Sequence, residues 1–199
     1  MSSSFRGQDT RNLILQTSLA LFSKNGYDAT SVAEICQSAG VSKGAFYHHF
    51  PSKHDLFLTL MTEWLDQVDS WFLEARTESD DIVQALVNMA GVTGQFYGEL
   101  EGGFPILLEF WTQAIRQPLF WEQAVEPYRK YLGFFRGMIE SGKEAGAFQE
   151  DLDLDVATRL LMGLAMGLML QAAFDPQGSD WEAVTRSGIS LMLKSMRKL

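Results

Sequence analysis

The chain has 199 residues, 46% of them hydrophobic and 21% charged, which suits one or two packed domains and excludes a disordered polymer. Its lone cysteine, Cys36, rules out an internal disulfide or a multi-cysteine zinc site, so no oxidising compartment is required and a cytoplasmic location is expected. The net charge of −9 argues against nucleic-acid binding until it is divided along the chain: residues 1–55 carry +1 and all three histidines, and the rest carries −10.

The first residues contain no apolar run that would serve as a signal peptide. In the first element Ile14, Ser18, Leu21 and Phe22 share one helical face, and Asn25-Gly26 ends it. The second opens at Thr30-Ser31. There Ser31 and Glu34 have the spacing of a capping box, in which hydroxyl and carboxylate each satisfy the other's orphan backbone donor. Ile35 and Ala39 form its buried stripe, and Gly40 stops it. A short third helix begins at the N-cap Ser42 and runs to Phe50, where Pro51 interrupts. Ser52 to Asp55 is another cap signature, launching a long helix through Trp64 and Trp71 to about Arg76.

Five more helices are predicted, over about 80–99, 104–117, 118–145, 153–174 and 180–197, separated by glycine, proline and aspartate breakers. No segment alternates in the manner of a strand, so the fold class is all-α with about nine helices. The longest apolar run, Leu160 to Leu170, falls short of the roughly 20 residues of a membrane span and reads as a buried interface helix, with no membrane partner. Gly137 to Glu144 imitates a phosphate loop, but Glu144 stands where a magnesium-binding hydroxyl is needed and no strand precedes it, so a plain helix is expected.

The second and third helices, joined by a tight turn at Gly40-Val41, have the dimensions of a helix-turn-helix. The candidate reading surface is Ser42, Lys43, Gly44, Ala45, Tyr47, His48 and His49, small, hydroxylated and basic where a solvated helix would carry Glu and Lys. Gly44 allows the backbone to approach a base edge, and Lys43 can reach a guanine or a phosphate. Phe46 and Phe50 supply the buried stripe, which leaves Tyr47 on another face. His48 and His49 are sequence neighbours and cannot share a helical face, so no metal site is expected; nor is there a catalytic triad or a cofactor motif.

The ordered set Ile14-Leu15, Leu21-Phe22, Gly26-Tyr27, Thr30-Ser31-Val32, Glu34-Ile35, Ala39 to Gly44, Phe46-Tyr47, His49 to Lys53 and Leu56 resembles the DNA-binding domain of tetracycline-repressor (TetR) family regulators. Thr17-Ser18 and Cys36 depart from the family's usual small apolar residues but are small enough to pack. The resemblance implies an N-terminal three-helix DNA-binding domain in residues 1–52 and a helical ligand-binding and dimerisation domain in 53–199. It implies that Thr30 or Ser31 contacts phosphate, that Ser42, Lys43, Gly44 and Ala45 lie along base edges, and that Tyr47, His48, His49 and Lys53 hold the DNA backbone.

By the same resemblance, an effector pocket lies between the long helices. Its expected wall is Trp64, Phe96, Leu108, Trp111, Ile115, Tyr128, Phe135, Met138, Met162 and Met166, although such residues at helical spacing also simply fill cores. The last two helices are the expected homodimer surface, through Leu160, Gly163, Leu164, Gly167, Leu168, Val184, Leu191 and Met192. The function implied is a dimeric transcriptional repressor released from a near-palindromic double-stranded operator by a small apolar or aromatic ligand. Activation by ligand, or sensing without DNA binding, uses the same parts; an enzyme finds no support.

Overall fold

Serine and aspartate caps punctuate the chain, and each cap's position explains where a helix starts. The structure, a computed structural model, describes residues 2–92 and 103–198. Helix α1 (Ser2–Asn25) gives way to Gly26, whose φ of 83° is left-handed, and α2 (Val32–Ala39) ends at Gly40 with φ 65°. The Oγ atoms of Ser31, Ser42 and Ser52 accept from the backbone N–H of Glu34, Ala45 and Asp55, each at 3.1 Å, and so open α2, α3 (Lys43–His49) and α4 (Lys53–Thr77). The capping box is only half made. The Glu34 carboxylate turns away from its cap and accepts from Asn25 Nδ2 at 3.1 Å, which pins α2 to the end of α1.

Asp81, Asp153 and Asp180 cap α5 (Ile82–Gly91), α8 (Leu154–Phe174) and α9 (Trp181–Ser195). Between them lie α6 (Gly103–Arg116) and α7 (Pro118–Glu144), the latter with Pro118 in its first turn. The elements among the described residues are those expected. The predicted helix over 80–99 is seen as far as Gly91, and residues 93–102, Phe96 among them, lie outside the described residues. Gly142 and Lys143 sit inside α7, as a helix rather than a loop. The described residues contain no strand, only an isolated bridge between Phe148 and Arg197.

One apolar cluster runs through the N-terminal helices into the body. Ile14, Phe22, Ile35, Phe46 and Leu56 are fully buried, and Tyr27 packs in a tilted contact on Phe57 at 4.8 Å and edge-on to Phe120 of α7 at 5.4 Å. Ser18 lies within this core at no cost, because its hydroxyl donates to the Ile14 carbonyl at 2.7 Å, and Cys36 packs as a small apolar side chain. In the body, α7 passes so close to the Phe148 turn and α5 that a Cβ on Gly142 would lie 2.5 Å from the Phe148 ring and 2.9 Å from Ile82. Phe148 is wholly buried and has nowhere to retreat. Gly142→Ala is therefore expected to lose about 1–3 kcal/mol, measured as a lower urea midpoint; a parental midpoint would show that the contact is soft.

The sequence expectation for α8 needs correction. The Leu160 to Leu170 run is bounded by Arg159 and Gln171, but the 21-residue helix that contains it, with a mean hydropathy of 1.5 over its most apolar 18 residues, is by length and composition long and apolar enough to cross a membrane. Little of it is buried within one chain.

Candidate nucleic-acid interface and interior cavity

Helix α3 buries only Phe46 completely, and Phe50 closes the core at its end. That anchoring turns Ser42, Lys43, Gly44 and His48 outward, with Tyr47 52% exposed and its ring packed edge-on against Phe46 at 5.3 Å. Ala45 and His49 are half-buried. Ser31 and Ser42 are used as caps only through their oxygen lone pairs, and the hydroxyl proton of each remains free in direction for a phosphate. Burial is the main cause holding the His49 imidazole below its ordinary pKa, followed by His48 and Arg11. In the chain alone the imidazole is therefore a neutral hydrogen-bonding group at neutral pH.

Two residues expected at this surface do other work. Thr30 is completely buried, and its Oγ1 donates to the Gly26 carbonyl at 2.9 Å, so Ser31 rather than Thr30 is left facing outward at the start of α2. The Lys53 ammonium donates to the carbonyls of Tyr27 and Thr30 at 2.7 and 2.8 Å and sits 4.1 Å from the Tyr27 ring centroid. Burial lowers its pKa while Asp28 and Glu109 support its charge. Lys53 thus ties the first turn of α4 to the carbonyls of the α1–α2 connection. On the other side Arg11 pairs with Glu63 of α4 at 3.0 Å.

Between α4, α5, α6, α7, α8 and α9 lies a cavity of about 140 Å³ whose wall is almost wholly apolar. Of the residues expected to line it, Trp64, Trp111, Tyr128, Phe135, Met162 and Met166 do. Leu108, Ile115 and Met138 do not. The buried face of α6 is centred on Leu107, Phe110 and Ala114, with Trp111 at its margin, and at about 100° per residue Leu108 and Ile115 swing off it. Ile115 is 85% exposed, and Met138 is buried in the core beside the cavity rather than in its wall. Missed were Met61, Phe72, Phe110, Tyr131, Ala165 and Met169, among others; Pro127, inside α7, also lines the wall. Tyr131 donates its hydroxyl to Asp69 of α4 at 2.9 Å, and burial followed by that bond raises its pKa, so the phenol stays protonated. Asp69 also pairs with Lys130. Among the described residues no Lys, Arg, Asp or Glu lines the cavity.

A family model described as bacterial regulatory proteins, tetR family, matches residues 14–60, and one described as BetI-type transcriptional repressor, C-terminal, matches residues 104–193. The chain belongs to the tetR family. UidR of Escherichia coli (strain K12), an HTH-type transcriptional regulator, is 23% identical over 186 residues, covering 94% of this chain and 92% of that protein. The fold matches that of KstR2, a ketosteroid transcriptional regulator of Mycobacterium tuberculosis, with TM-score 0.75 and 21% identity over 95% of each chain. It also matches a regulator from Saccharomonospora viridis in complex with choline, with TM-score 0.83 and 21% identity over 96% of this chain and all of the other. As a TetR-family protein the chain is a DNA-binding transcriptional regulator and not an enzyme.

The last two helices of this TetR-family chain leave an apolar face open. Val156, Leu160, Gly163, Gly167, Leu170 and Phe174 repeat at alternating spacings of four and three along α8, the period that keeps one stripe facing a partner helix. Leu160 is 56% exposed and Phe174 83%, and a Cβ added to Gly163 or Gly167 would meet nothing within 4 Å. On α9, Val184 and Leu191 are exposed beside it. Leu164 and Leu168 lie roughly 80–120° around α8 from this stripe and turn instead toward Gly188 of α9, at 3.9 and 3.5 Å from where its Cβ would stand. Met192 packs on the chain's own core. Those three residues serve packing within the chain.

Proposed function

We propose that the protein is a homodimeric repressor that leaves its operator when a small apolar molecule fills the cavity. Two copies pair through the open stripes of α8 and α9, and the pair offers two α3 helices to successive major grooves of a near-palindromic duplex, roughly 34–36 Å apart. Residues 1–52 act as the DNA-binding unit and 53–199 as the sensing and pairing unit, in the cytoplasm. Ser42, Lys43 and Gly44 meet base edges, while Ser31, Tyr47, His48 and His49 hold the phosphates.

The observation that carries this reading is the position of the cavity: Trp64 in its wall belongs to α4, whose first turn is tied to the DNA-binding unit by Lys53. A ligand shifts the balance only by binding one arrangement of these helices better than the other. Its chemistry follows from the wall. A cavity of this size is close to one that binds benzene, and among the described residues a charged anion would find no cationic partner, only indole and phenol donors. Seven aromatic residues in the wall, together with the choline-bound neighbour, favour a quaternary ammonium as a second reading, held by ring faces rather than by a carboxylate.

The test is a titration of toluene, of choline and of choline's neutral isostere 3,3-dimethylbutan-1-ol, followed by tryptophan emission, with Trp111→Phe locating the signal. Toluene and the neutral alcohol are expected to quench and to release a duplex that the protein has selected from a random library. Quenching by choline alone selects the second reading. Release by no compound, with emission unchanged throughout, contradicts both.

A further inference from the structure

Glutamine is costly to bury, and Gln113 of α6 is buried to 1% exposure, at the boundary between the DNA-binding helices and the body. Its whole amide is employed. Nε2 donates to Asp28 Oδ2 at 3.0 Å and to Glu109 Oε1 at 2.9 Å, and Oε1 accepts from Gln117 Nε2 at 2.6 Å. Asp28 lies in the α1–α2 connection, 85 residues away in sequence. The same connection takes both Lys53 bonds from α4 and the edge of Phe120 from α7, and the Glu109 carboxylate lies 3.6 Å from where a Cβ would stand on Gly26. One turn of backbone, residues 26–30, is thus gripped from three helices of the body.

The three grips are not equivalent. Lys53 belongs to the helix that directly follows α3, and Phe120 makes an apolar contact that tolerates sliding. Gln113 makes a directional bond, and it does so from the helix whose Phe110 and Trp111 form part of the cavity wall. Those residues precede Gln113 by less than one helical turn, about 3–4.5 Å along the axis. A molecule that pushes Phe110 and Trp111 outward therefore displaces the Gln113 amide by a similar amount, and a hydrogen bond of 3.0 Å does not survive a displacement of an ångström.

We infer that Gln113 is the positioning residue of the regulator: its amide clamps Asp28, fixes the DNA-binding unit in the duplex-binding orientation, and is withdrawn by α6 when the cavity fills. The inference rests on the reading of the cavity as the effector site. In the bond to Gln113 Asp28 enters as an acceptor, so asparagine serves there and alanine does not; its charge acts separately, on the neighbouring Lys53 ammonium. Gln113 touches neither DNA nor ligand.

The experiment imposes occupancy by substitution, so that no ligand need be known. Ala165 of α8 lines the cavity, and Ala165→Leu adds the bulk of an isopropyl group to it. Affinity for a duplex selected by the parent protein, and amide hydrogen exchange of residues 26–31, are measured with and without Ala165→Leu in four backgrounds: parent, Gln113→Leu, Asp28→Ala and Asp28→Asn. In the parent, Ala165→Leu is expected to weaken duplex binding at least tenfold and to speed exchange in the connection. In Gln113→Leu and Asp28→Ala the connection already exchanges at least tenfold faster, and Ala165→Leu has less than a twofold further effect on affinity; in Asp28→Asn the parental response persists. A full response retained in Gln113→Leu overturns the inference and spares the cavity reading. An Ala165→Leu protein that matches the parent in both measurements overturns the cavity reading, and this inference with it. A loss of response in Asp28→Asn equal to that in Asp28→Ala shows that charge carries the effect, and overturns the clamp as drawn.

Discussion

A protein carrying Lys43→Ala and Tyr47→Ala is expected to lose specific duplex binding by about 30- to 1,000-fold while unfolding at the parental temperature. Both side chains stand on the exposed side of α3, Lys43 at its first position and Tyr47 one turn later, so they reach the same stretch of groove. Each is worth about 1–2 kcal/mol as a phosphate or base-edge contact. The folded chain loses little, because Phe46 and Phe50 hold α3 to the core without them. Isothermal binding to the selected duplex, beside a thermal melt, checks both halves. Retained affinity would remove α3 as the reading helix, and a lowered melting temperature would show that Tyr47 is structural.

The second large effect concerns pairing. Leu160→Glu with Gly163→Glu is expected to make the protein monomeric at micromolar concentration and to weaken duplex binding at least a hundredfold, since two linked α3 helices bind by effective concentration and one does not. In a single chain these substitutions meet no obstacle: Leu160 is already exposed, the space over Gly163 is open, and replacing a mid-helix glycine favours the helix by up to about 1 kcal/mol. Across a dimer they would bury four carboxylates against apolar side chains. Sedimentation velocity separates the outcomes. A variant that still sediments as a dimer places the partner face elsewhere, and a parent protein that is monomeric contradicts the pairing outright.

The sequence made local structure legible wherever one residue decides it. Ser31, Ser42 and Ser52 start helices, Gly26 and Gly40 end them, and the Phe46 and Phe50 pair sets which side of α3 faces out; each of these depends on contacts within one turn of chain. The burial of Thr30 and the inward bonds of Lys53 escaped the sequence because their partners are carbonyls of a turn whose shape arises only when α1, α2 and α4 pack together. Ile115 and Leu108 were misplaced for a different reason. Residues three before and four after Trp111 look like one face with it, but the true face centres a quarter-turn away, and a helix of 14 residues gives too short a stripe to fix its phase. The Gln113 and Asp28 bond had no signal in the sequence, since a lone glutamine on an amphipathic helix looks like a solvated residue until the fold buries it. Open apolar stripes are the opposite case: the repeat along α8 was visible in part through Leu160, Gly163 and Gly167, and Val156, Leu170 and Phe174 complete it.

The central claim, that a symmetric pair of these chains lays α3 into two successive grooves, is tested most directly by hydroxyl-radical footprinting on the selected duplex with the stoichiometry measured alongside. The account predicts two chains per bound duplex and two protected patches on one face of the helix, their centres one turn or about 34–36 Å apart. A single patch, or one chain bound per duplex at saturation, would contradict it.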